Sequence, residues 1–444
     1  MKSPRILLLS TYPSGGGAAN ATRRLYDALY AAGAEVRMLN LYNPQAEDSH
    51  SLGSVYRGLW GRLRATALKA CERLSIIRHN GYMPDPLWRF STAEVGLDIT
   101  THPWVQWADI IHLHWVNQGF LSLNGLRQLT QLGKPIVWTM HDLWAVTGGC
   151  HLPFSFGRDS LELCPSYYSG CDTCPLLGPS ANKRAYSHKL CRQKSALHLD
   201  NPDIHYIAVS HREAELISAS YLRGGRPPQA VISPPLPAPM PDSAWQSVSI
   251  EDYSPDKDYI LFVSARLDEA VKGYHLLRSV CEALARRQGE WSREIELILV
   301  GLSKDPEALA DMPLRTHYLG RRSSAELAWL YGRSASLTLS TSLFETFGQT
   351  LSESLSYGTP AVAFAAYGAE DIITDGQNGY LIPAYDTELM AERILRLVAM
   401  RRAGQAFDAL SCKRSIAHFS AEHIAQKHLD LYAQLQATHE HISR

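Results

Sequence analysis

Short apolar runs and helix-like segments alternate along most of this 444-residue chain. The run RILLLS at residues 5–10 precedes a segment in which Leu25, Leu29 and Ala32 share one helical face and Gly33 provides a stop. A chain that repeats this order pairs its strands in parallel, because each helix returns it to the same edge of the sheet. The pattern therefore predicts an α/β fold.

The alternation occurs twice, on either side of a stretch rich in proline and serine at residues 226–259. That composition is typical of a linker. We therefore predict two similar, facing Rossmann-like domains, at residues 1–240 and 255–415, with the ligand in the cleft between them, beyond the carboxyl ends of the strands. A helix from about Ala421 carries its own apolar stripe and must pack on another element.

The predicted strands are the most apolar runs of the two halves. In the first half they cover residues 5–10, 35–41, 109–116, 135–142 and 204–210, and in the second half residues 259–267, 294–301, 335–340 and 360–364.

Composition excludes several classes of protein. The formal net charge is −1, so no global field attracts nucleic acid. No apolar run approaches the ~18 residues that span a membrane, and the first residues suit a strand better than a signal peptide. We therefore expect a cytoplasmic protein. In that compartment the eight cysteines indicate thiols or metal ligands rather than a disulfide framework.

Two glutamates flank a predicted helix start in the second half. Glu345 lies in the loop after a strand, Gly348 begins the helix, and Glu353 lies about 7 Å along its axis. The first amides of a helix attract phosphate, and carboxylates accept hydrogen bonds from diols. This layout suits a nucleotide-sugar, with the diphosphate between a sugar and a ribose. The alternative is a helix cap followed by a solvated glutamate.

The same stretch resembles the Glu-x7-Glu motif of retaining, GT-B-fold glycosyltransferases of family 4. The element FVSARLDEAVKG upstream resembles the Arg-Leu…Lys-Gly element of that family. Downstream, the family's signature is matched at Gly358, Pro360, Glu370, Gly376 and Gly379. The matches cover about residues 259–385.

The resemblance implies roles for individual residues. Arg266 and Lys272 would stabilise the donor diphosphate, so that no metal or other cofactor is required for catalysis. Glu345 would contact the donor sugar and Glu353 the ribose. The remaining donor-binding residues would be Phe347, Gly348, Gln349 and Thr350, of which the last three would meet the phosphate through their backbone. The helix in residues 416–444 would cross back onto the first domain.

The first half resembles the family more loosely. SGGGAAN, with Gly16 and Gly17, is similar to its amino-terminal glycine-rich loop, and WTMHD is similar to its His-Asp strand end, where His141 would hydrogen-bond the transferring sugar. A plain strand-to-helix turn and a structural histidine are the alternatives. His112 and His114 share one strand face, which favours packing or cleft lining over a metal site.

Residues 148–178 form a cysteine-rich insert. Cys150, Cys164, Cys171 and Cys174 are predicted ligands of a structural zinc, with reduced thiols or a disulfide as the alternative. Similar inserts occur in enzymes of this family that resemble colanic acid transferases. The pair Asp256 and Asp258 lies in the polar linker, and we assign no metal to it.

Residues 57–79 form a basic segment that resembles an interfacial helix, with six Arg or Lys residues against the single acid Glu72. It would suit an anionic membrane surface and peripheral attachment to the inner face of the cytoplasmic membrane. A packed helix with a solvated basic side is the alternative.

The sequence thus predicts a retaining hexosyltransferase-type enzyme that moves a sugar from a nucleotide-diphosphate sugar to a saccharide or lipid-linked acceptor. Surface polysaccharide or lipopolysaccharide synthesis is the expected setting. A nucleotide-sugar 2-epimerase and a non-catalytic binding protein of the same fold are the alternatives.

Overall fold

The computed structural model describes residues 3–44, 51–80, 89–178, 180–199, 201, 204–287, 295–305, 309 and 311–442. The chain divides into two compact units. The first comprises Met1–Ser155, Glu162–Pro235 and Ala421–Arg444, and the second comprises Phe156–Leu161 and Leu236–Ser420. No helix within the described ranges is long and apolar enough to cross a membrane.

The helices and strands alternate along much of the chain, with additional strands that the sequence did not predict. Up to residue 235 they are β1 (Ile6–Ser10), α1 (Gly17–Ala31), β2 (Val36–Tyr42), β3 (Leu52–Tyr56), α2 (Gly58–Asn80), α3 (Pro103–Trp107), β4 (Ile110–Leu113), α4 (Leu123–Thr130), β5 (Ile136–Thr139), β6 (Phe154–Phe156), β7 (Leu161–Leu163), α5 (Ala181–Arg184), α6 (Tyr186–Leu199), β8 (Ile204–Ala208), α7 (His211–Ala219) and β9 (Ala230–Val231). After that they are β10 (Asp258–Arg266), α8 (Tyr274–Arg286), β11 (Ile295–Leu302), β12 (Thr316–Gly320), α9 (Ser324–Trp329), β13 (Leu337–Ser340), α10 (Gln349–Ser356), β14 (Ala361–Phe364), β15 (Gly379–Ile382), α11 (Thr387–Arg402), α12 (Ala409–Ser415) and α13 (Ala421–Ile442).

The first unit contains a parallel sheet in the order β3-β2-β1-β4-β5-β8-β9. Ile6 of β1 lies opposite Val36 of β2 on one side and Ile110 of β4 on the other. The strand order reverses between β1 and β4, so the connections after these two strands diverge. Such a reversal opens a crevice at the carboxyl edge of a sheet, where α/β folds bind ligands.

The second unit repeats this design in the order β12-β11-β10-β13-β14-β15, again with parallel pairing. Its reversal lies between β10 and β13, which pair through Ile260 and Leu337. Buried leucines and valines of the sheet pack against α8 and α11 in one core. The predicted fold class, α/β with two Rossmann-like parallel sheets, is confirmed.

The strands that the sequence did not predict include the edge strands of the two parallel sheets. They are β3, β9, β12 and β15. An edge strand pairs on one side only, so it is not required to be apolar throughout. The strands β3 (LGSVY) and β12 (THYLG) carry glycine and polar residues for this reason, and neither gives a continuous apolar run.

The stretch predicted as a linker belongs in large part to the second unit, which begins at residue 236. Val248 and Ile250 are buried in one of its cores. Trp245 packs so closely on Gly332 that a side chain at Gly332 would clash with the indole ring. The sequence analysis missed these packed residues because the surrounding prolines and serines are typical of a linker.

Asp258, which the sequence places in the linker, is instead the buried first residue of β10. Its carboxylate accepts hydrogen bonds from Arg401 at 2.8 Å and from Arg402 at 2.7 Å. A buried carboxylate needs such partners to offset its lost hydration. Asp258 therefore ties the start of the sheet to the end of α11.

Helix α13 packs within the first unit, where Ile424 and Tyr432 join the core of the sheet. The Tyr432 hydroxyl lies 2.6 Å from Nδ1 of His112, whose Nε2 lies 2.8 Å from the Thr139 hydroxyl. His112 is fully buried, in agreement with a packing role. Burial, and to a lesser extent His428 and His141, lower its pKa well below the usual value, so its imidazole is neutral at pH 7.

We expect Tyr432→Phe to lower the free energy of unfolding of the first unit by about 1–3 kcal/mol, because it leaves a buried ring nitrogen of His112 without this partner. Urea denaturation followed by circular dichroism measures the change. Tyr221→Phe, at a side chain that is 53% exposed, is the control and should change stability little. Equal effects of the two variants would contradict a structural role for the His112–Tyr432 hydrogen bond.

Candidate functional site

Arg266 lies at the carboxyl end of β10, beside the point where the strand order of the second sheet reverses. Its Nε and Nη2 donate to the two carboxylate oxygens of Asp268 at 3.2 and 2.7 Å. This hydrogen bonding raises the pKa of Arg266, so the guanidinium stays charged. Asp268 therefore orients the cation, a role that the sequence analysis missed.

Lys272 and Glu345 form an ion pair, although 73 positions separate them in the chain. Lys272 Nζ lies 2.7 Å from Glu345 Oε1, and the side chains are 23% and 20% exposed. Burial lowers the pKa of Lys272, but the Glu345 carboxylate, aided by Glu269, outweighs burial and raises the pKa overall. The structure thus unites two of the residues that the resemblance singled out, and the lysine stays charged at neutral pH.

Gly273 lies where the segment after β10, which contains Lys272, meets the segment after β13, which contains Glu345. Its φ of +62° is left-handed, and a Cβ there would lie 2.1 Å from the backbone oxygen of Thr341. The Thr341 hydroxyl donates to the carbonyls of Lys272 and Gly273 at 3.1 and 2.9 Å, and the Leu343 amide donates to Val271 at 2.8 Å. Only glycine fits both the conformation and the contact.

The loop that contains Glu345 leads directly into α10. Gly348 is buried, has a φ of +106° and is the residue before the helix, so Gln349 and Thr350 supply its first amides. Helix amides in this position have no partner inside the helix and attract anions. Phe347 is buried and packs edge-on against Phe419, with ring centroids 5.1 Å apart, so it supports this turn from beneath.

Glu353 lies in the middle of α10 and is partly exposed. The helix ends at Ser356, and Gly358 follows with a φ of +88°, a left-handed conformation that stops the helix. Glu353 is thus on the same short helix whose amino terminus follows Glu345, and its contact with a ribose stays a prediction.

In the first unit, Gly16 ends the loop between β1 and α1, and Gly17 is the first residue of α1. Gly16 precedes the helix in an extended conformation, and no other atom lies within 4 Å of the position that a Cβ would take. Since β1 borders the strand-order reversal of this sheet, the loop is at the edge where α/β folds bind ligands. Their contact with a donor or acceptor stays a prediction.

His141 follows β5 at the same edge of the first sheet. Its Nε2 lies 2.9 Å from Nδ1 of the buried His114. Burial lowers the pKa of His141 to about 4 and outweighs the opposite effect of Asp142. The ring is therefore neutral at physiological pH and suits hydrogen bonding to a hydroxyl rather than pairing with phosphate.

Asp142 fixes the segment that contains His141. One of its oxygens accepts from the Trp115 indole at 2.8 Å and lies 2.7 Å from Nδ1 of His151, while the other accepts from the Trp144 amide at 2.8 Å. The Ser91 hydroxyl lies 2.8 Å from the other ring nitrogen of His151. The sequence analysis did not identify this network, since its members are separated by up to 60 positions.

Cys150, Cys164, Cys171 and Cys174 line one cavity of about 20 Å³ in the insert. Among the described residues, no group of three or more His, Cys, Asp or Glu side chains is arranged to hold a metal ion. Burial raises the pKa of Cys174 to about 12, and it also raises the pKa of Cys150. The four side chains share one site, where the zinc ligation remains a prediction.

We expect Gly273→Ala to destabilise the second unit more than Gly320→Ala does. Both glycines have a left-handed φ, of +62° and +67°, but a Cβ at Gly320 meets no atom within 4 Å. The control therefore isolates the clash with Thr341 from the cost of the left-handed conformation, which is about 1–2 kcal/mol. Urea unfolding measures both, and equal losses would contradict a need for close contact at Gly273.

If the cysteine site binds zinc, the purified protein carries about one equivalent, and chelation lowers the melting temperature. Elemental analysis and a thermal scan with and without chelator measure this. Cys71→Ser, at an exposed cysteine outside the cavity, is the control and should retain the metal. A zinc content below about half an equivalent would contradict the prediction.

The carboxy-terminal half matches a known family. Residues 249–409 match the family described as Glycosyl transferases group 1. This range contains Arg266, Lys272, Glu345 and Glu353, and all four come from the second unit.

Curated relatives match parts of the chain. The poly(glycerol-phosphate) alpha-glucosyltransferase of Bacillus subtilis (strain 168) is 41% identical over 78 residues, which are 17% of this chain and 12% of the relative. A D-inositol 3-phosphate glycosyltransferase of Nocardioides sp. is 30% identical over 202 residues, 41% of this chain and 43% of the relative. The chain thus spans less than half the length of either relative.

Solved structures match over almost the whole chain. Sucrose-phosphate synthase from Thermosynechococcus elongatus has a TM-score of 0.64 at 20% identity and covers 98% of this chain and 99% of its own. HepE from Anabaena, in complex with UDP and glucose, has a TM-score of 0.58 at 17% identity and covers 97% and 100%. At these identities the likeness shows the fold, which is of the GT-B type. Residues 249–409 thus match the family of glycosyl transferases group 1, within a chain whose fold is of the GT-B type.

Proposed function

We propose that this protein is a retaining glycosyltransferase, of the hexosyltransferase type within family 4. It moves a sugar from a nucleotide-diphosphate sugar to a saccharide or lipid-linked acceptor in the synthesis of a surface polysaccharide such as lipopolysaccharide. The observation that carries the proposal is the Lys272–Glu345 ion pair at 2.7 Å. Its glutamate lies in the loop that leads into the amino terminus of α10. The pair places a cation, a carboxylate and helix amides in adjoining segments.

These three groups suit different parts of a nucleotide-sugar. The helix amides at Gln349 and Thr350 and the cations Lys272 and Arg266 suit the diphosphate, whose negative charge grows as the sugar leaves. Glu345 suits the hydroxyls of the donor sugar. Two protein cations and a helix terminus supply the charge stabilisation for which other enzymes use a metal ion, so we propose that no metal is required.

The resemblance to family 4 implies the course of the reaction that we propose. The bond between the anomeric carbon and the diphosphate oxygen breaks, and the acceptor oxygen bonds to that carbon on the same face. A departing phosphate oxygen takes the proton of the acceptor hydroxyl, so the enzyme needs no separate base. Without a donor bound, Lys272 pairs with Glu345 and Arg266 pairs with Asp268. Phosphate oxygens of the donor would replace part of these contacts.

The remaining predicted residues bind rather than react. Glu353 would hold the ribose, and the neutral His141 would donate to or accept from a sugar hydroxyl. The support for these roles is the resemblance, together with the position of His141 after β5 and of Glu353 on α10. Two of the curated relatives are glycosyltransferases, and HepE binds UDP and glucose, which agrees with a sugar donor of this class.

Ligand-dependent thermal stability tests the donor site. We expect one of UDP, GDP, ADP, CMP or dTDP to raise the melting temperature with EDTA present, because a ligand in excess over its Kd stabilises the folded state. Lys272→Ala should abolish this shift, whereas Lys413→Ala, at an exposed lysine of α12 in the same unit, should retain it. No shift with any nucleotide would contradict the proposal and favour a non-catalytic binding protein.

Product analysis tests the reaction itself. With the matching nucleotide-sugar and an acceptor, the product linkage should keep the anomeric configuration of the donor, as measured by NMR. Lys272→Ala should lower kcat on the order of a hundredfold or more, since it removes charge stabilisation of the leaving group. An inverted linkage would contradict retention, and conversion of the donor to its 2-epimer without an acceptor would identify an epimerase.

A further inference from the structure

Helix α2 presents an apolar stripe to solvent. Six of its apolar residues are exposed, and Trp60, Leu74 and Leu59 are 77%, 64% and 70% exposed. At about 100° per residue, the six fall within an arc of about 100° on one side of the helix. They are Leu59, Trp60, Leu63, Ala67, Ala70 and Leu74. Surface helices of globular proteins normally turn such a stripe toward the core.

The opposite side of α2 is the one that faces the protein. Gly61, Ala65 and Ile76 are buried there. Glu72 is also buried, and accepts hydrogen bonds from the amides of Thr92 at 2.7 Å and Ala93 at 2.9 Å. Since Glu72 is the single acid of the helix, its outer surface presents no carboxylate. The helix is thus anchored by the side opposite the stripe, through apolar packing and the hydrogen bonds of Glu72.

Arginines border the stripe on both sides. Arg62 lies next to one edge of the arc and Arg64 next to the other, while Arg57 and Arg78 lie near its two ends, and all four are exposed. The whole chain has a net charge of only −1, so this basic surface is a local feature. A second copy of the same face would bring these arginines against each other, which disfavours self-association.

We propose that this face of α2 docks on the surface of an anionic phospholipid bilayer. Trp60 and the leucines would enter the boundary between headgroups and acyl chains, and the arginines would pair with lipid phosphates. Tryptophan favours this depth because its ring is apolar and its N–H is polar. The helix lies on the membrane and does not span it. The inference does not rest on the proposed glycosyl transfer.

Vesicle co-sedimentation of the full chain tests the proposal. We expect binding to vesicles of phosphatidylglycerol and phosphatidylcholine at low salt, weaker binding at high salt, and little binding to phosphatidylcholine alone. Arg62→Glu with Arg64→Glu should weaken binding by roughly fivefold or more for each arginine. Trp60→Ser with Leu63→Ser should weaken it through the apolar contact, and all these side chains are exposed, so the fold should be unaffected.

Matched substitutions elsewhere separate this face from general charge or apolar effects. Arg192→Glu with Arg396→Glu makes the same charge change at exposed sites, and Leu410→Ser removes a leucine that is 50% exposed. These controls should bind like the wild type. No binding by the wild type, equal loss in controls and α2 variants, or a dimer in ultracentrifugation that Trp60→Ser dissociates would overturn the proposal. The nucleotide thermal shift of the α2 variants should stay unchanged, so the two proposals fail independently.

Discussion

The contact between Gly273 and the Thr341 carbonyl holds together the segments from which the candidate site of the second unit is built. One segment follows β10 and carries Arg266 and Lys272, and the other follows β13 and carries Glu345. The first segment ends in a single 3-10 turn, Ala270–Lys272, and the second is an irregular loop. A left-handed glycine and the two hydrogen bonds of the Thr341 hydroxyl join them, so that the lysine and the glutamate are in contact.

The first unit reaches a comparable result by a different route. Its strand-end residues are held by buried polar side chains. His112 of β4 hydrogen-bonds to Thr139 and to Tyr432 of α13. Asp142 hydrogen-bonds to the indole of Trp115 and the imidazole of His151. Burial keeps His112 and His141 neutral. Neutral rings accept and donate hydrogen bonds at little electrostatic cost, so the histidines of this edge contribute hydrogen bonds rather than charge, in contrast to the ion pairs of the second unit.

The sequence predicted the central strands of the two parallel sheets but not their edge strands. Central strands such as β1, β10 and β13 are buried on both faces and show it as apolar runs, whereas β3 and β12 are edges and mix polar residues with glycine. In the site, the resemblance selected Lys272 and Glu345, but no spacing rule indicated that Asp268 orients Arg266. The Asp142 network could not be predicted either, because its members are far apart in the sequence and come together only in the folded first unit.

The division of the chain into units has a consequence for biogenesis. The second unit is almost wholly contained in one continuous stretch, Leu236–Ser420, whereas the first needs α13, which follows that stretch in the sequence. During translation the ribosome therefore delivers all of the second unit before it delivers the helix whose Tyr432 meets His112. Since domains fold as their residues emerge, the later half of this protein can reach its native state while the earlier half still exposes the surface that α13 covers.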